Sequence, residues 1–415
     1  MKNILIEQNP HWQGTIYASV VRHQLKQLIS YLPTRQIITI SGIRRCGKST
    51  LAKQAINHLM KQGVNPLNIL FVNLEQPFFL EHRHNANYLN TLYDTYLKLA
   101  NPQGKTYVIF DEVQFFENWQ VFVKSKYESS DIKFIVTGSN SSLLSNDLNT
   151  LLSGRTLEVH LNTFSFEEFL DYKEIDFSNE IARLNSRIAI ERAKEEYLTW
   201  GGFYEVFTEP KELIKKEILL AYARNIIYQD IVPRYGIRNS NELERLFFYL
   251  LSNATSILNY SKLADTFALS DKSIKEYIGY FEDVFLLKRL DRYHTKAKEK
   301  IRSSKKIYVK DNGFLQIAPK HSKNSGTALE NAVYNILYIK DKDVTYMRDK
   351  YEIDFYACAK LYQVAYEIED EKTRKRELGA FNYFMPKSEK VLVTFEHNEL
   401  IEGIEILSFD GFVFE

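Results

Sequence analysis

Gly42-Ile43-Arg44-Arg45-Cys46-Gly47-Lys48-Ser49 is the stretch that decides the fold. It matches G-x-x-x-x-G-K-[ST], and its flanks agree with that reading. Gln36 to Ser41, with three isoleucines, reads as a buried strand, and Lys48 to Lys61 puts Leu51, Ala55, Ile56 and Leu59 on one helical face. Glycines permit a loop whose backbone N–H groups wrap phosphate oxygens, and the start of the following helix favours their negative charge. Lys48 is expected to reach the outer phosphates and Ser49 to ligate Mg²⁺. The cradle is assigned to Gly42, Ile43, Arg44, Arg45, Cys46, Gly47, Lys48, Ser49 and Thr50.

Further strands are expected at Ile69 to Leu74, Thr106 to Phe110 and Lys133 to Thr137, with a helix at Asn87 to Ala100, which is a parallel α/β layout. Tyr107-Val108-Ile109-Phe110-Asp111-Glu112 ends a buried strand in two carboxylates, where open α/β sheets bind their ligands. Asp111 is expected to hold the metal shell, and Glu112 to polarise an attacking water, a role that separates a hydrolase from a nucleotide switch. After the next strand, Ser139 or Asn140 could orient that water. Gly154-Arg155 follows a helical pattern, SSLLSNDLNTLL, and Arg155 reads either as an arginine finger or as one half of a structural ion pair.

The chain has 415 residues, enough for two or three domains at roughly 150 residues each. Its 45% hydrophobic and 26% charged residues are ordinary globular usage, which excludes wholesale disorder. With 54 basic and 53 acidic residues the formal charge is +1, so any attraction to nucleic acid must be local. Two distant cysteines, Cys46 and Cys358, support neither a disulfide framework nor a zinc site, and His82 and His84 lack further ligands at metal spacing. No secretion signal or membrane-length apolar run is visible, so a cytoplasmic protein is expected.

After about Phe164 the pattern turns to charged amphipathic helices. YSKLADTFAL and DKSIKEYIGYFEDV followed by FLLKRLDRY suggest a winged helix-turn-helix, with Lys296 to Lys306 as a basic loop or wing. From about Lys305, short β-like runs (KIYV, VTYM, IDFYA, VAYEI, KVLVTF) surround a helix starting near Gly326. The expected division is 1–164, 165–304 and 305–415.

ISGIRRCGKSTL, VIFDEVQ, VTGSNSSLLSNDLNTLLSGRT and LNTFSFEEFLDY together resemble the AAA-type ATPases with a C-terminal domain of unknown function, AAA_14 plus DUF4143. YLTWGGFYEVF is similar to that family's Gly-Gly-Phe-Pro signature, with Tyr204 at the proline, and the resemblance covers nearly the whole chain. It implies ATP as the nucleotide and a homo-oligomer; Mg²⁺ as cofactor follows from Ser49 and Asp111, and the lysines of the winged segment, Lys272, Lys275 and those between Lys296 and Lys306, allow a DNA partner, with a protein partner as the alternative. It also implies a C-terminal restriction-endonuclease-like α/β domain. There Glu330, Asp354 and Glu367 fall at the metal-binding places, while Glu369 replaces the lysine of the third motif. An adjacent carboxylate repels a phosphodiester, so an inactive nuclease is expected, with Lys372 as a possible substitute. The reading is an Mg²⁺-dependent ATPase that drives or gates its attached domains; the alternative is a switch with little turnover.

Overall fold

Three isoleucines in five residues make Ile37–Ser41 (β1) a strand buried on both faces, as a parallel sheet covered by helices requires. The computed structural model describes residues 1–85, 87–141, 152, 154–319, 324–384 and 387–415. With β1 go Ile69–Asn73 (β2), Thr106–Asp111 (β3), Ile132–Gly138 (β4) and Thr156–His160 (β5). All five are parallel in the order β2-β3-β4-β1-β5. Because β4 lies between β1 and β3, the loops leaving these three strands share one edge of the sheet. Helices Lys48–Lys61 and Asn87–Ala100 run over the ranges expected. Leu92, Tyr96 and Phe122 pack with Val108, Phe110, Phe134 and Val136 in the core. Most of SSLLSNDLNTLL lies outside the described residues.

At the start of β4 a lysine is buried. Lys133 Nζ donates to the carbonyls of Tyr31 at 2.7 Å, Thr34 at 2.9 Å and Gln36 at 2.5 Å. It thereby ties the chain entering β1 to β4.

The chain divides into two compact units, Met1–Thr163 with Asp283–Phe285, and Phe164–Glu282 with Leu286–Glu415. In the second, FSFEEFLDY forms the helix Phe166–Tyr172, opened by a capping box between Ser165 and Glu168. The Gly-Gly-Phe turn has a steric reason: a Cβ on Gly202 would lie 2.2 Å from the Phe164 carbonyl, and one on Gly201 1.9 Å from Asp311 Oδ1. Tyr204 is the first residue of the helix Tyr204–Thr208, a position where proline is also tolerated.

Helices Tyr260–Phe267 and Asp271–Asp283 are followed by Leu287–Asp291 (β6), which pairs antiparallel with Lys305–Val309 (β7). The division expected at Lys305 thus cuts a strand pair, and both sides of it belong to one unit. Between the strands stands a helix, Ala297–Arg302, where a loop or wing was expected. Ion pairs engage several of the lysines in and around it: Lys300 with Asp291 at 3.8 Å, Lys305 with Asp291 at 2.7 Å and Lys296 with Glu299 at 3.5 Å.

The C-terminal segment adds Thr345–Arg348 (β8), Glu352–Ala357 (β9), Lys360–Val364 (β10), Glu389–Thr394 (β11), Glu399–Ile401 (β12) and Ile404–Ser408 (β13). They form one mixed sheet in the order β12-β13-β11-β10-β9-β8, with helix Ser325–Lys340 in the same unit. The strand expected at VAYEI, residues 364–368, lies four residues earlier, at Lys360–Val364. No helix among the described residues is long and apolar enough to cross a membrane.

Candidate functional site

The loop after β1 has the geometry its glycines require. A Cβ on Gly42 would lie 2.1 Å from the Leu161 carbonyl oxygen and 2.9 Å from Cys46 Sγ, so no larger residue fits. Gly47 sits at φ 103° and opens the helix Lys48–Lys61. Inside the loop the Cys46 N–H donates to the Ile43 carbonyl at 3.2 Å. Arg22, fully buried, braces it from outside: Nη1 donates to the Cys46 carbonyl at 2.7 Å and Nη2 to the Asn162 carbonyl at 2.8 Å.

Lys48 is buried and donates to the Ile43 carbonyl at 3.3 Å, with Glu112 Oε1 3.4 Å away. Burial pulls its ammonium down, but the Glu112 carboxylate, then Cys46 and Asp111, more than offset this and leave it above its ordinary value. Burial alone would raise the Glu112 carboxyl; Lys48, Gln114 and Arg44 reverse that, holding it below the usual range and so ionised. Glu112 also adopts φ 57° and ψ 51°, a left-handed conformation sparsely used outside glycine and asparagine. Such strain persists only where surrounding contacts fix it, here at the carboxyl end of β3.

Asp111 behaves oppositely. Burial, then the neighbouring Glu112 charge, pushes its carboxyl up to about 6, while hydrogen bonds from Thr137 and Ser49 pull it back. Thr137 Oγ1 donates to Asp111 Oδ1 at 2.6 Å and accepts from the Glu112 N–H at 3.1 Å, so one hydroxyl fixes both acids. Asp111 Oδ2 is buried without a hydrogen-bond partner. An orphaned carboxylate oxygen beside the Ser49 hydroxyl fits a divalent cation held by these two residues.

Ser139 and Asn140, buried at the end of β4, share this sheet edge. Ser139 Oγ accepts from Gln114 Nε2 at 2.9 Å, and the same amide donates to Glu112 Oε2 at 2.5 Å. Arg44 pairs with Glu75, and Arg45, at φ 70°, is exposed. Arg155 stands elsewhere. Its carbonyl accepts from the Ile37 N–H at 2.8 Å, placing it at the start of β1, roughly 16 Å of strand from the phosphate loop of its own chain. Its guanidinium lies 3.1 Å from Glu128 Oε1, the ion pair that was one of its two readings. Arg22, Glu75, Gln114 and Thr137 were missed: common residue types outside any motif, they are brought in only by tertiary packing.

A second cluster lies in the C-terminal segment. Lys306 Nζ, buried, is 2.7 Å from Glu352 Oε1, 3.2 Å from Asp354 Oδ1 and 3.3 Å from Glu330 Oε1. Glu330 and Asp354 thus come together as expected, but Glu367 does not join them. It and Glu369 are exposed beyond the end of β10, as is Lys372 on the next helix. The residue facing Asp354 is Gln363, whose Oε1 accepts from the Asp354 N–H at 3.1 Å and whose Nε2 donates to Glu377 Oε2 at 2.6 Å. Among the described residues no group of three acidic, cysteine or histidine side chains is arranged to hold a metal. His82 stacks on Tyr88, and His84 pairs with Glu117.

The AAA domain AAA_14 matches residues 34–170. The domain of unknown function DUF8612 matches residues 191–325, in place of the DUF4143 expected for the later part of the chain. An uncharacterized protein of Haemophilus influenzae is 32% identical over 396 residues, covering 92% of this chain and 95% of that one. The uncharacterized protein MJ1544 of Methanocaldococcus jannaschii is 31% identical over 377 residues, covering 88% and 81%. Among solved structures, the Walker-type ATPase PABY2304 of Pyrococcus abyssi is similar at a TM-score of 0.45 and 14% identity, covering 73% of this chain and 96% of that one. The chain therefore belongs to the family that includes these Haemophilus and Methanocaldococcus proteins, and its first domain is a P-loop AAA domain of the AAA_14 type.

Proposed function

We propose that the protein binds ATP at the loop Gly42 to Thr50 and hydrolyses it, with Glu112 as the base that polarises water. The observation that carries this reading is Glu112 itself, a buried carboxylate kept ionised at the carboxyl end of β3, 3.4 Å from Lys48 Nζ. Nucleotide phosphates compete for Lys48 and so release Glu112 from its ion pair. Ser49 and Asp111 would hold Mg²⁺, which when bound neutralises phosphate charge. Ser139 and Asn140 stand where a side chain can orient the water. ATP in preference to GTP rests on kinship with AAA proteins, since a phosphate loop reads no base.

We further read the segment from Tyr260 to Val309 as a winged helix, supported by two helices followed by the β6–β7 pair. The C-terminal sheet is read as a restriction-endonuclease-like domain without nuclease activity. The presence of Lys306 amid its carboxylates supports this, because an internal ammonium neutralises the charge that would draw a divalent cation. Hydrolysis would then drive or gate these attached domains, in a protein working as a homo-oligomer with a DNA or protein partner. The rival, a switch with little turnover, differs at Glu112. Lys48→Ala is expected to abolish nucleotide binding, and Glu112→Gln to keep binding while phosphate release falls by about 10²- to 10⁴-fold. Glu112→Gln turning over at the wild-type rate refutes the assignment of the base.

A further inference from the structure

We propose that Gln114 is a positioning residue for hydrolysis, holding the Glu112 carboxylate in place once nucleotide has drawn Lys48 away from it. This rests on the reading of Glu112 as the base. The local backbone brings the two side chains together. Glu112, in its left-handed conformation, ends β3 and opens the short 3-10 turn Val113–Phe115, in which the Phe115 N–H donates to the Glu112 carbonyl at 3.2 Å. The side chain two residues on thereby returns beside the carboxylate. An ionised carboxylate only accepts hydrogen bonds, so the amide faces it with its NH₂ group. One hydrogen goes to Glu112 Oε2 at 2.5 Å and the other to Ser139 Oγ at 2.9 Å. Ser139 is buried just beyond β4, so the amide ties the acid of one strand end to the next strand end.

Among the described residues the Glu112 carboxylate has two hydrogen-bonding partners, Lys48 at Oε1 and Gln114 at Oε2. Lys48 is the group that nucleotide phosphates claim. Gln114 is then the partner that stays, fixing Oε2 while Oε1 is released to accept a proton from water. Its hydrogen bond also favours the ionised form of Glu112, in the same direction as Lys48 and Arg44. Packing alone does not ask for a glutamine here. Gln114 Oε1 is buried with no hydrogen-bond partner among the described residues, a penalty that an apolar side chain of similar length avoids. What the amide supplies in return is the grip of its NH₂ group on Glu112.

The test is Gln114→Met in the full-length chain, a change that keeps the length of the side chain and removes its donors. The kcat for ATP is expected to fall about 10- to 100-fold, the worth of a hydrogen bond to a charged group, while nucleotide affinity stays within about twofold. Ser139→Ala, which leaves the amide without its anchor, should lower kcat by a smaller factor in the same way. In a Glu112→Gln background, followed in single turnovers, adding Gln114→Met should cause no further loss, because Gln114 acts through that carboxylate; a general structural defect would multiply with it. Wild-type kcat in Gln114→Met while Glu112→Gln is impaired, a loss confined to nucleotide affinity, or a multiplied loss in the double variant each overturns the role of Gln114. Wild-type turnover in Glu112→Gln refutes the base instead, so the two failures are told apart.

Discussion

Thr137 carries more of the candidate site than its residue type suggests. One hydroxyl donates to Asp111 and accepts from the Glu112 backbone, so Thr137→Val, which keeps the shape and removes the oxygen, unfastens both acids. The expected cost is about tenfold in kcat/KM, the worth of one hydrogen bond to a charged group. Its sign with pH can also be predicted. Asp111 must be ionised to hold a cation and its carboxyl is pushed up to about 6, so activity should fall as pH drops through about 6. The Thr137 bond favours the ionised form. Removing it raises that carboxyl further, and the acid limb of the profile should move to higher pH; a limb that stays put, or moves lower, contradicts the role. The phosphate loop was legible because Gly42 and Gly47 answer to backbone constraints that few residues satisfy. Thr137 was not, because a threonine in a strand is ordinary and its partners lie 26 and 25 positions away.

Among the elements, β4 shows what a buried charge does when its donors are used. Lys133 satisfies three carbonyls where the chain turns into β1, and burial brings its ammonium down to about 8. Lys133→Met leaves those acceptors without a donor and should destabilise the protein by roughly 2–4 kcal/mol in denaturant unfolding. A change below ~0.5 kcal/mol would show that water replaces the lysine freely. The residues of β4 were readable as a strand from their apolar run, but the lysine within it gave no sign of its partners. β10 records the opposite failure. VAYEI has the composition of a strand, yet pairing with β9 and β11 runs over Lys360–Val364, so the motif read at Glu367 falls in the turn beyond. A short apolar run fixes that a strand exists but not its register, which sheet partners decide. With Lys306 bound among Glu330, Glu352 and Asp354, the purified protein is expected not to cleave DNA with Mg²⁺ or Mn²⁺. Glu369→Lys should not change this, since Glu369 is outside the cluster. Cleavage that disappears in Asp354→Ala would overturn that expectation.

For the molecule as a whole, Arg155 raises the question of assembly. It stands at the start of β1, while its own phosphate loop leaves the far end of that strand, so it cannot serve the nucleotide of its own chain. An arginine finger there has to act on a neighbouring subunit. The ion pair with Glu128 does not forbid this: both side chains are partly exposed, and a surface pair is worth only about 0–1 kcal/mol, which a phosphate anion easily outcompetes. We propose that Arg155 acts in trans within a homo-oligomer. Specific ATPase activity should then rise with protein concentration, and Arg155→Ala should lower it by about 10³- to 10⁵-fold while leaving nucleotide affinity nearly unchanged. Mixing Arg155→Ala with Lys48→Ala chains should recover turnover, because at mixed interfaces one subunit supplies an intact phosphate loop and its neighbour an intact arginine. Glu128→Gln separates the alternatives. If the arginine is only half of an ion pair, Glu128→Gln and Arg155→Ala should cost the same small stability and neither should alter turnover. If it is a finger, Glu128→Gln removes one competitor for the guanidinium and activity is kept or raised. Activity independent of concentration, with mixtures as inactive as either parent, leaves Arg155 to its ion pair.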